Sequence, residues 1–231
     1  MKRPPLDSLV RRIGHPFNDP ALLEEALTHR SAGSVNNERL EFLGDSVLSF
    51  IISDSLFHRY PNATEGELSR LRASLVNGEK LAEIARALDL GQYLRLGSGE
   101  LKSGGFRRAS ILADAMEAII GAVYLDAGFT TVRNWLLELF QPHFQALPDP
   151  ELLKDPKTRL QEYLQGRRMA LPRYEVTQVT GQSHNQRFDV TCTIEGVEHP
   201  FRGSGTSRRR AEQEAALNAL ESLTGGAKHD A

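Results

Sequence analysis

The spacing of apolar residues changes once along the chain, and this change constrains the fold more than any other feature. Up to about residue 144, apolar side chains recur every three or four positions, which is the period of an α-helix. In residues 174–179 and 188–194 the side chains alternate in character, as they do in β-strands. Four prolines separate these regions within residues 141–156, where they remove amide donors and oppose helix continuation. The sequence therefore predicts two domains.

The first domain, residues 1–147, is predicted to be all-α. Its predicted helices cover residues 19–27, 37–58, 64–76, 78–88, 110–125 and 130–144. The stretch 97–105 contains several glycines and is predicted to be a flexible loop. It is not followed by Gly-Lys-Ser/Thr, so the sequence predicts no nucleotide cofactor.

The second domain is predicted at residues 156–225, after a linker at 148–155 and before a frayed tail at 226–231. Its pattern predicts α+β structure in the order α-β-β-β-α. The predicted helices are 158–165 and 207–223, and the predicted strands are 174–179, 188–194 and 197–201. The third strand has the weakest pattern of the three.

Size and composition exclude several classes of protein. A chain of 231 residues, 40% of them hydrophobic, can bury a core in each domain without metal or disulfide staples. The single cysteine, Cys192, cannot form an internal disulfide, and no secretory signal or membrane span is evident, so we expect a reduced, cytoplasmic protein. The net charge of −2 supports a nucleic-acid partner only weakly, so that case depends on where individual charges lie.

Residues 37–48 place three carboxylates on one face of a predicted helix. At about 100° per residue, Glu38, Glu41 and Asp45 fall within one narrow sector. Leu40 and Leu43 fall on the opposite side, where they can pack on a core. A solvated acidic face is the ordinary interpretation of such a stripe, and the three charges alone do not exclude it.

A second helix strengthens the case for a metal site. Residues 110–125 are almost continuously apolar and carry only two charged side chains, Asp114 and Glu117. Buried carboxylates are costly unless they are neutralised, and Ala118 and Gly121 would let a neighbouring helix approach closely. If that neighbour carries the first stripe, up to five carboxylates converge, which suits Mg²⁺ or Mn²⁺ and phosphodiester hydrolysis. The absence of a cysteine pair and of His-x-x-x-His or Glu-x-x-His motifs argues against zinc and di-iron sites.

Five segments resemble the ribonuclease III family: residues 26–31, 37–48, 65–72, 97–105 and 107–114. The resemblance implies a helical endonuclease domain that forms a homodimer. It also implies two-metal, Mg²⁺-dependent cleavage of double-stranded RNA that leaves 5′-phosphate and 3′-hydroxyl ends, with Mn²⁺ able to substitute. Ribosomal RNA precursors and structured messages are the implied substrates.

The resemblance also implies roles for particular side chains. Four carboxylates would bind metal directly, and two would act mostly through water. The direct ligands are Glu41, Asp45, Asp114 and Glu117, and the indirect pair is Glu38 and Glu65. Among these, Asp45 and Glu117 would be the catalytic residues. Phe42 would anchor the partner subunit, although an ordinary core phenylalanine remains an alternative.

Residues 157–165, 181–188 and 203–215 resemble the contact regions of a double-stranded RNA-binding domain. Such domains bind two minor grooves of A-form RNA and the phosphates between them. The implied RNA-binding residues are Gln161, Glu162, Gln165, His184, Arg208 and Arg209. A solvated arginine run is the alternative for residues 208–210. Glu212 stands where eukaryotic domains often have lysine, which predicts weaker phosphate binding.

Two alternatives to the nuclease follow from the same residues. A non-cleaving regulator could use both domains to bind double-stranded RNA, but it would have no use for acidic side chains against phosphate. A helical metal enzyme for small phosphoesters would have no use for the second domain. Arg107 and Arg108, which precede the second acidic helix, could contact RNA phosphate or pair with carboxylates.

Overall fold

The computed structural model describes residues 3–182 and 186–225, with only the backbone at positions 150 and 151. The chain divides into two compact units between residues 152 and 153. No helix in the described part of the chain is long and apolar enough to cross a membrane.

The first unit is all-α across its described residues, as the sequence predicted, apart from an isolated bridge between Thr28 and Arg95. Its helices are α1 Leu6–Ile13, α2 Pro20–Ala26, α3 Glu38–Arg59, α4 Glu65–Leu75, α5 Gly78–Ala87, α6 Ser98–Lys102, α7 Ala109–Leu139 and α8 Gln141–Gln145. The side chains of Asp19, Thr64 and Asn77 accept amide hydrogen bonds at the starts of α2, α4 and α5, as good N-caps do.

The elements of this unit differ in detail from the predicted ones. Helix α1 was not among the predicted helices, although Leu6, Leu9, Val10 and Ile13 stand at helical spacing. The stretch predicted as a flexible loop, 97–105, contains α6. The predicted break between helices 110–125 and 130–144 is present at Gly128 (φ 77°, ψ 176°), inside α7, but the second predicted helix ends at Leu139 and is followed by the separate α8. Only glycine adopts such a backbone conformation readily, so the interruption occurs there.

Helices α3 and α7 form the centre of the first unit. The buried residues of α7 extend almost all the way round it from Ile111 to Val123, as its continuous apolar sequence predicted. Leu48, Ile51 and Ile52 of α3 are almost fully buried. Because other residues of the unit pack around both helices, the side chains at their crossing have little freedom to move.

The second unit has the predicted α-β-β-β-α order. It consists of α9 Pro156–Gly166, β1 Arg173–Thr180, β2 Arg187–Thr193, β3 Phe201–Gly205 and α10 Arg208–Gly225. The three strands form an antiparallel sheet in the order β1-β2-β3. Leu160, Val190 and Ala215, from α9, β2 and α10, are among the residues of its buried core.

The third strand lies four residues later than predicted. Residues 197–201 were expected, whereas β3 covers Phe201–Gly205. A Cβ atom added to Gly203 would lie 2.3 Å from the carbonyl oxygen of Ala211, so α10 packs directly on the strand backbone. Glycine is needed for this contact, and it hides the side-chain alternation by which a strand is recognised.

Candidate active site and nucleic-acid interface

Two glycines bring the backbones of α3 and α7 into contact. A Cβ atom at Gly44 would lie 1.8 Å from the carbonyl oxygen of Glu117, and one at Gly121 would lie 2.3 Å from the carbonyl oxygen of Leu40. The close approach that the sequence predicted at Gly121 is therefore present. Because Gly44 lies between Glu41 and Asp45, the contact places this part of α3 directly beside Glu117.

Three carboxylates meet at this crossing. One oxygen from each of Glu41, Asp114 and Glu117 lies within 4.8 Å of the other two. All three side chains are partly buried. Carboxylate oxygens are the ligands that hard divalent cations such as Mg²⁺ and Mn²⁺ prefer, so the residues fit such a cation both in chemistry and in spacing.

The carboxylates of this cluster are harder to ionise than ordinary ones. Burial, followed by the charges of Asp45, Glu41 and Asp114, raises the pKa of Glu117 from 4.5 to about 7. Burial, with the charge of Asp114 next, also raises the pKa of Glu41. Burial raises the pKa of Asp114 as well, although His29 and Arg30 oppose the shift. A bound cation would relieve this repulsion, and binding it would release protons.

The metal-free protein should become less stable as pH rises from about 5 to 8. In this interval folded Glu117 retains a proton that the unfolded chain has lost, because its pKa is about 7 instead of 4.5. The contribution of Glu117 to the free energy of unfolding is therefore fully present below its pKa in the unfolded chain, and it is lost as pH rises through its pKa in the folded protein. Urea unfolding in EDTA at several pH values measures this slope. The variant Glu117→Gln cannot titrate and should flatten it, and an unchanged slope in that variant would contradict the assignment.

The other predicted metal residues lie outside this cluster. Asp45 is exposed, although its charge contributes to the raised pKa of Glu117. Glu38 is exposed and lies 3.5 Å from the guanidinium of Arg30. Glu65 accepts a hydrogen bond from Ser69 (2.7 Å) and lines a different groove, between α3 and α4. The structure therefore brings together three of the six predicted side chains.

A cleft of about 490 Å³ opens beside Glu41 and Asp114. Its lining carries acidic and basic side chains, and one of the three basic residues, Arg108, was predicted from the sequence to contact phosphate or carboxylate. The three basic residues are His29, Arg30 and Arg108. Arg108 pairs with Glu100 at 2.9 Å, whereas Arg107 stacks on Phe106 at 5.1 Å. Of the two alternatives for Arg108, the structure shows the carboxylate pair.

His29 has a local structural partner. Its Nδ1 accepts a hydrogen bond from the Ser31 amide (3.2 Å) and lies 2.8 Å from the Ser31 hydroxyl. The amide of Gly97 donates to that hydroxyl (2.9 Å), so the group links two loops of the cleft wall. This arrangement orients the ring and agrees with a structural role for His29.

Phe42 is not a core residue. Its side chain is 78% exposed, on the outer face of α3. Phe50 and Phe57 follow at intervals of eight and seven residues, close to two helical turns each, and they are also exposed. We call Phe42, Phe50 and Phe57 the aromatic stripe. A groove of about 620 Å³ beside Phe42 is lined partly by Leu22, Leu40, Leu43 and Leu125.

The predicted RNA-binding residues of the second unit are exposed wherever the structure describes them. Gln161, Glu162 and Gln165 lie on the surface of α9, and Arg208 and Arg209 lie in the first turn of α10. Glu162 pairs with Lys154. His184 lies outside the described residues. Helix α10 therefore presents guanidinium groups beside its N-terminal amides, which is a favourable arrangement for phosphate.

Comparison with family models gives one match in each unit. A model described as ribonuclease-III-like matches residues 19–143. A model of the double-stranded RNA binding motif matches residues 156–223. The two matches include all the residues that we consider for the active site and for RNA contact.

Whole-chain relatives and a solved nuclease domain give the same assignment. Ribonuclease 3 from Vibrio campbellii is 59% identical over 96% of this chain and 99% of its own. Ribonuclease 3 from Hahella chejuensis is 61% identical over 94% and 96%. The nuclease domain of ribonuclease III from Campylobacter jejuni, studied for flexibility in a region involved in dimer formation, is 44% identical with a TM-score of 0.60. It covers 61% of this chain and 99% of that one. The chain therefore belongs to the ribonuclease III family.

Proposed function

We propose that the chain is an endoribonuclease that hydrolyses phosphodiester bonds of double-stranded RNA at the carboxylate cluster. The products would carry 5′-phosphate and 3′-hydroxyl ends. The observation that supports this most is the convergence of Glu41, Asp114 and Glu117 beside an open cleft. The second unit matches the double-stranded RNA binding motif, which supports double-stranded RNA as the substrate. Ribosomal RNA precursors and structured messages in the cytoplasm are the proposed substrates.

The cluster would hold divalent cations, with Mg²⁺ as the proposed metal and Mn²⁺ as its substitute. Glu41, Asp114 and Glu117 would be direct ligands, joined by Asp45, and Glu38 and Glu65 would act through water. Bound cations of this kind supply activated water and offset charge on the attacking and leaving oxygens. Asp45 and Glu117 are proposed as the residues that matter most for this step.

The protein would orient the RNA through charge placed around the cluster. Arg30 and Arg108 line the cleft and are held by Glu38 and Glu100, respectively, at 3.5 and 2.9 Å. Guanidinium groups bind phosphate oxygens in a fixed geometry, so these two side chains can contact the RNA backbone in the cleft beside the acidic site. The proposed nuclease domain is residues 1–147, and the proposed RNA-binding domain is residues 156–225.

A homodimer is proposed on the aromatic stripe of α3. Phe50 is in edge contact with Phe129 of α7 (5.7 Å), so the exposed apolar surface continues beyond α3. Large exposed apolar patches on soluble domains commonly mark interfaces. In a symmetric pair, the same stripe on each subunit can meet its copy, and the groove beside Phe42 can accept an aromatic side chain.

Replacing Phe42 by aspartate should shift the protein from dimer to monomer. Because a buried aromatic anchor contributes strongly to an interface, we expect the dimer to dissociate at least about 10-fold more readily. Sedimentation velocity at micromolar protein without RNA measures this. Val35→Asp is a matched control, since Val35 is 70% exposed but precedes α3. A wild type that sediments as a monomer would contradict the dimer itself.

The proposed activity is tested by incubating an end-labelled RNA duplex with the full chain in Mg²⁺, Ca²⁺ or EDTA. We expect staggered products with 5′-phosphates in Mg²⁺ and none in EDTA. Tight binding without cleavage in Mg²⁺ or Mn²⁺ would instead identify a non-cleaving RNA-binding regulator. Cleavage of single-stranded RNA at the same rate would contradict the proposed substrate class.

A further inference from the structure

The N-terminal ends of α9 and α10 lie side by side and share a network of charges. Glu212 of α10 accepts hydrogen bonds from Lys157 of α9 (2.5 Å) and from Arg208, one turn earlier on α10 (2.8 Å). Asp155, just before α9, accepts from Gln213 of α10 (2.8 Å). Two acidic side chains therefore connect the start of α9 to the start of α10, which carries the proposed phosphate contacts Arg208 and Arg209.

Glu212 is the buried centre of this network. Only 8% of the residue is exposed, so it contributes little direct charge at the surface. Burial alone would raise its pKa, but the hydrogen bonds from Lys157 and Arg208 lower the pKa below its ordinary value. The carboxylate is therefore ionised at neutral pH, and each of its oxygens is occupied by one cationic partner.

Glu212 holds the two cations at different atoms, Arg208 at an inner nitrogen and Lys157 at its terminal ammonium. Glu212 binds Arg208 through Nε, the nitrogen nearest the chain. Within the described residues, the terminal nitrogens of Arg208 make no hydrogen bond, and its side chain is 65% exposed. Lys157 is 36% exposed, and its ammonium group also lies 4.6 Å from the centre of the Tyr174 ring. The terminal donors of Arg208 are therefore free for a ligand, and the Lys157 ammonium keeps N–H groups beyond the one that it donates to Glu212.

We propose that Glu212 is a positioning residue for RNA binding: it holds Arg208 at Nε with the terminal donors free for the phosphate backbone, and it fixes the Lys157 ammonium next to it. This inference rests on the proposed function, because it assumes that α10 meets double-stranded RNA. An exposed arginine normally loses rotamer freedom when it binds a phosphate. An arginine already fixed at Nε loses less, so the anchored side chain should bind more tightly than a free one.

The charge of Glu212 and its positioning role predict opposite effects on RNA affinity. A negative residue on a phosphate-binding helix predicts weaker binding, and its neutralisation then predicts stronger binding and a steeper dependence on salt. Positioning predicts the opposite sign for affinity. Glu212→Gln makes the net charge more positive, but it should weaken RNA binding. A neutral amide has one acceptor oxygen, so it cannot accept hydrogen bonds from both Lys157 and Arg208 as the carboxylate does.

The test measures binding of a fluorescent RNA duplex to the full chain in EDTA, where cleavage is excluded. We expect Glu212→Gln to weaken binding about 10-fold near 0.15 M salt, and to raise KM without changing kcat when Mg²⁺ is added. Glu221→Gln is the matched control, because it removes the same charge from an exposed position on α10. Equal or tighter binding by a folded Glu212→Gln would overturn the proposal.

A second variant leaves the buried carboxylate and a positive charge in place, since removing one partner of a buried ion pair can destabilise a domain. Arg208→Lys keeps the positive charge at this exposed site. The lysine side chain has a single nitrogen, however, so it cannot bind Glu212 through one nitrogen and leave two others free for phosphate. Positioning predicts about a 5-fold loss of affinity, whereas charge alone predicts none. Wild-type affinity in Arg208→Lys would overturn the inference and leave the proposed function intact. Failure of the wild type to bind the duplex would overturn both.

Discussion

Replacing Glu117 by glutamine should reduce cleavage of double-stranded RNA by at least about 10³-fold, which corresponds to about 4 kcal/mol of transition-state stabilisation. Glutamine has nearly the same shape as glutamate, so the helix crossing should remain packed. It is neutral, however, and it is a poor ligand for a hard cation. Single-turnover cleavage of an end-labelled duplex in Mg²⁺ measures the loss.

Binding should separate from cleavage in this variant. The proposed RNA contacts of α9 and α10 do not include Glu117, so the Kd for the duplex should stay within about 2-fold of wild type, a small effect on the binding scale. Glu138→Gln is the matched control, because Glu138 is an exposed glutamate on the same helix, α7. If Glu117→Gln cleaves the duplex at the wild-type rate, the carboxylate cluster is not the site of cleavage.

The helices of the first unit could largely be predicted because their apolar periodicity is strong. The almost continuous apolar run from Ile111 to Val123, broken only by Asp114 and Glu117, correctly predicted a helix buried on almost every side. The five-residue helix α6 was missed because Leu101 is its only apolar residue and glycines surround it, so it has no apolar periodicity. The third strand was misplaced because Gly203 and Gly205 pack by backbone contact and leave no side-chain alternation.

The candidate active site could be predicted only in part. Helix geometry placed Glu38, Glu41 and Asp45 on one face, but a single helix does not show how deeply each position enters a contact. In the structure Glu41 reaches the crossing, whereas Asp45 is exposed. Arg108 and Glu100 come together only through the folding of the segment before α7, which spacing along the chain does not reveal.

The role of Glu212 illustrates the same limit in the second unit. As a residue type on a basic helix, it predicted reduced attraction to phosphate. Its partner Lys157 lies 55 residues earlier, on α9, so the pairing depends on how the two helices pack. Only the packed arrangement distinguishes a charge that opposes RNA from one that holds the side chains facing it.

Replacing Gly44 by alanine should be among the most damaging single changes in the first unit. The added Cβ would lie 1.8 Å from the carbonyl oxygen and 2.7 Å from the carbonyl carbon of Glu117. Backbone atoms cannot rotate away, so α3 and α7 must separate. We expect a loss of about 3 kcal/mol or more, at the high end for overpacking, measured by urea unfolding. Gly99→Ala is the control, because nothing lies within 4 Å of its added Cβ.

The same substitution should weaken the metal site even in molecules that remain folded. Moving α3 outward carries Glu41 away from Asp114 and Glu117, whose oxygens now lie within 4.8 Å of one another. Since hard cations bind most tightly when several oxygens converge, calorimetric Mn²⁺ binding at a temperature where Gly44→Ala is still folded should show at least about a 10-fold loss. Wild-type affinity for Mn²⁺ would mean that the glycine contact serves packing alone and that the carboxylate spacing does not depend on it.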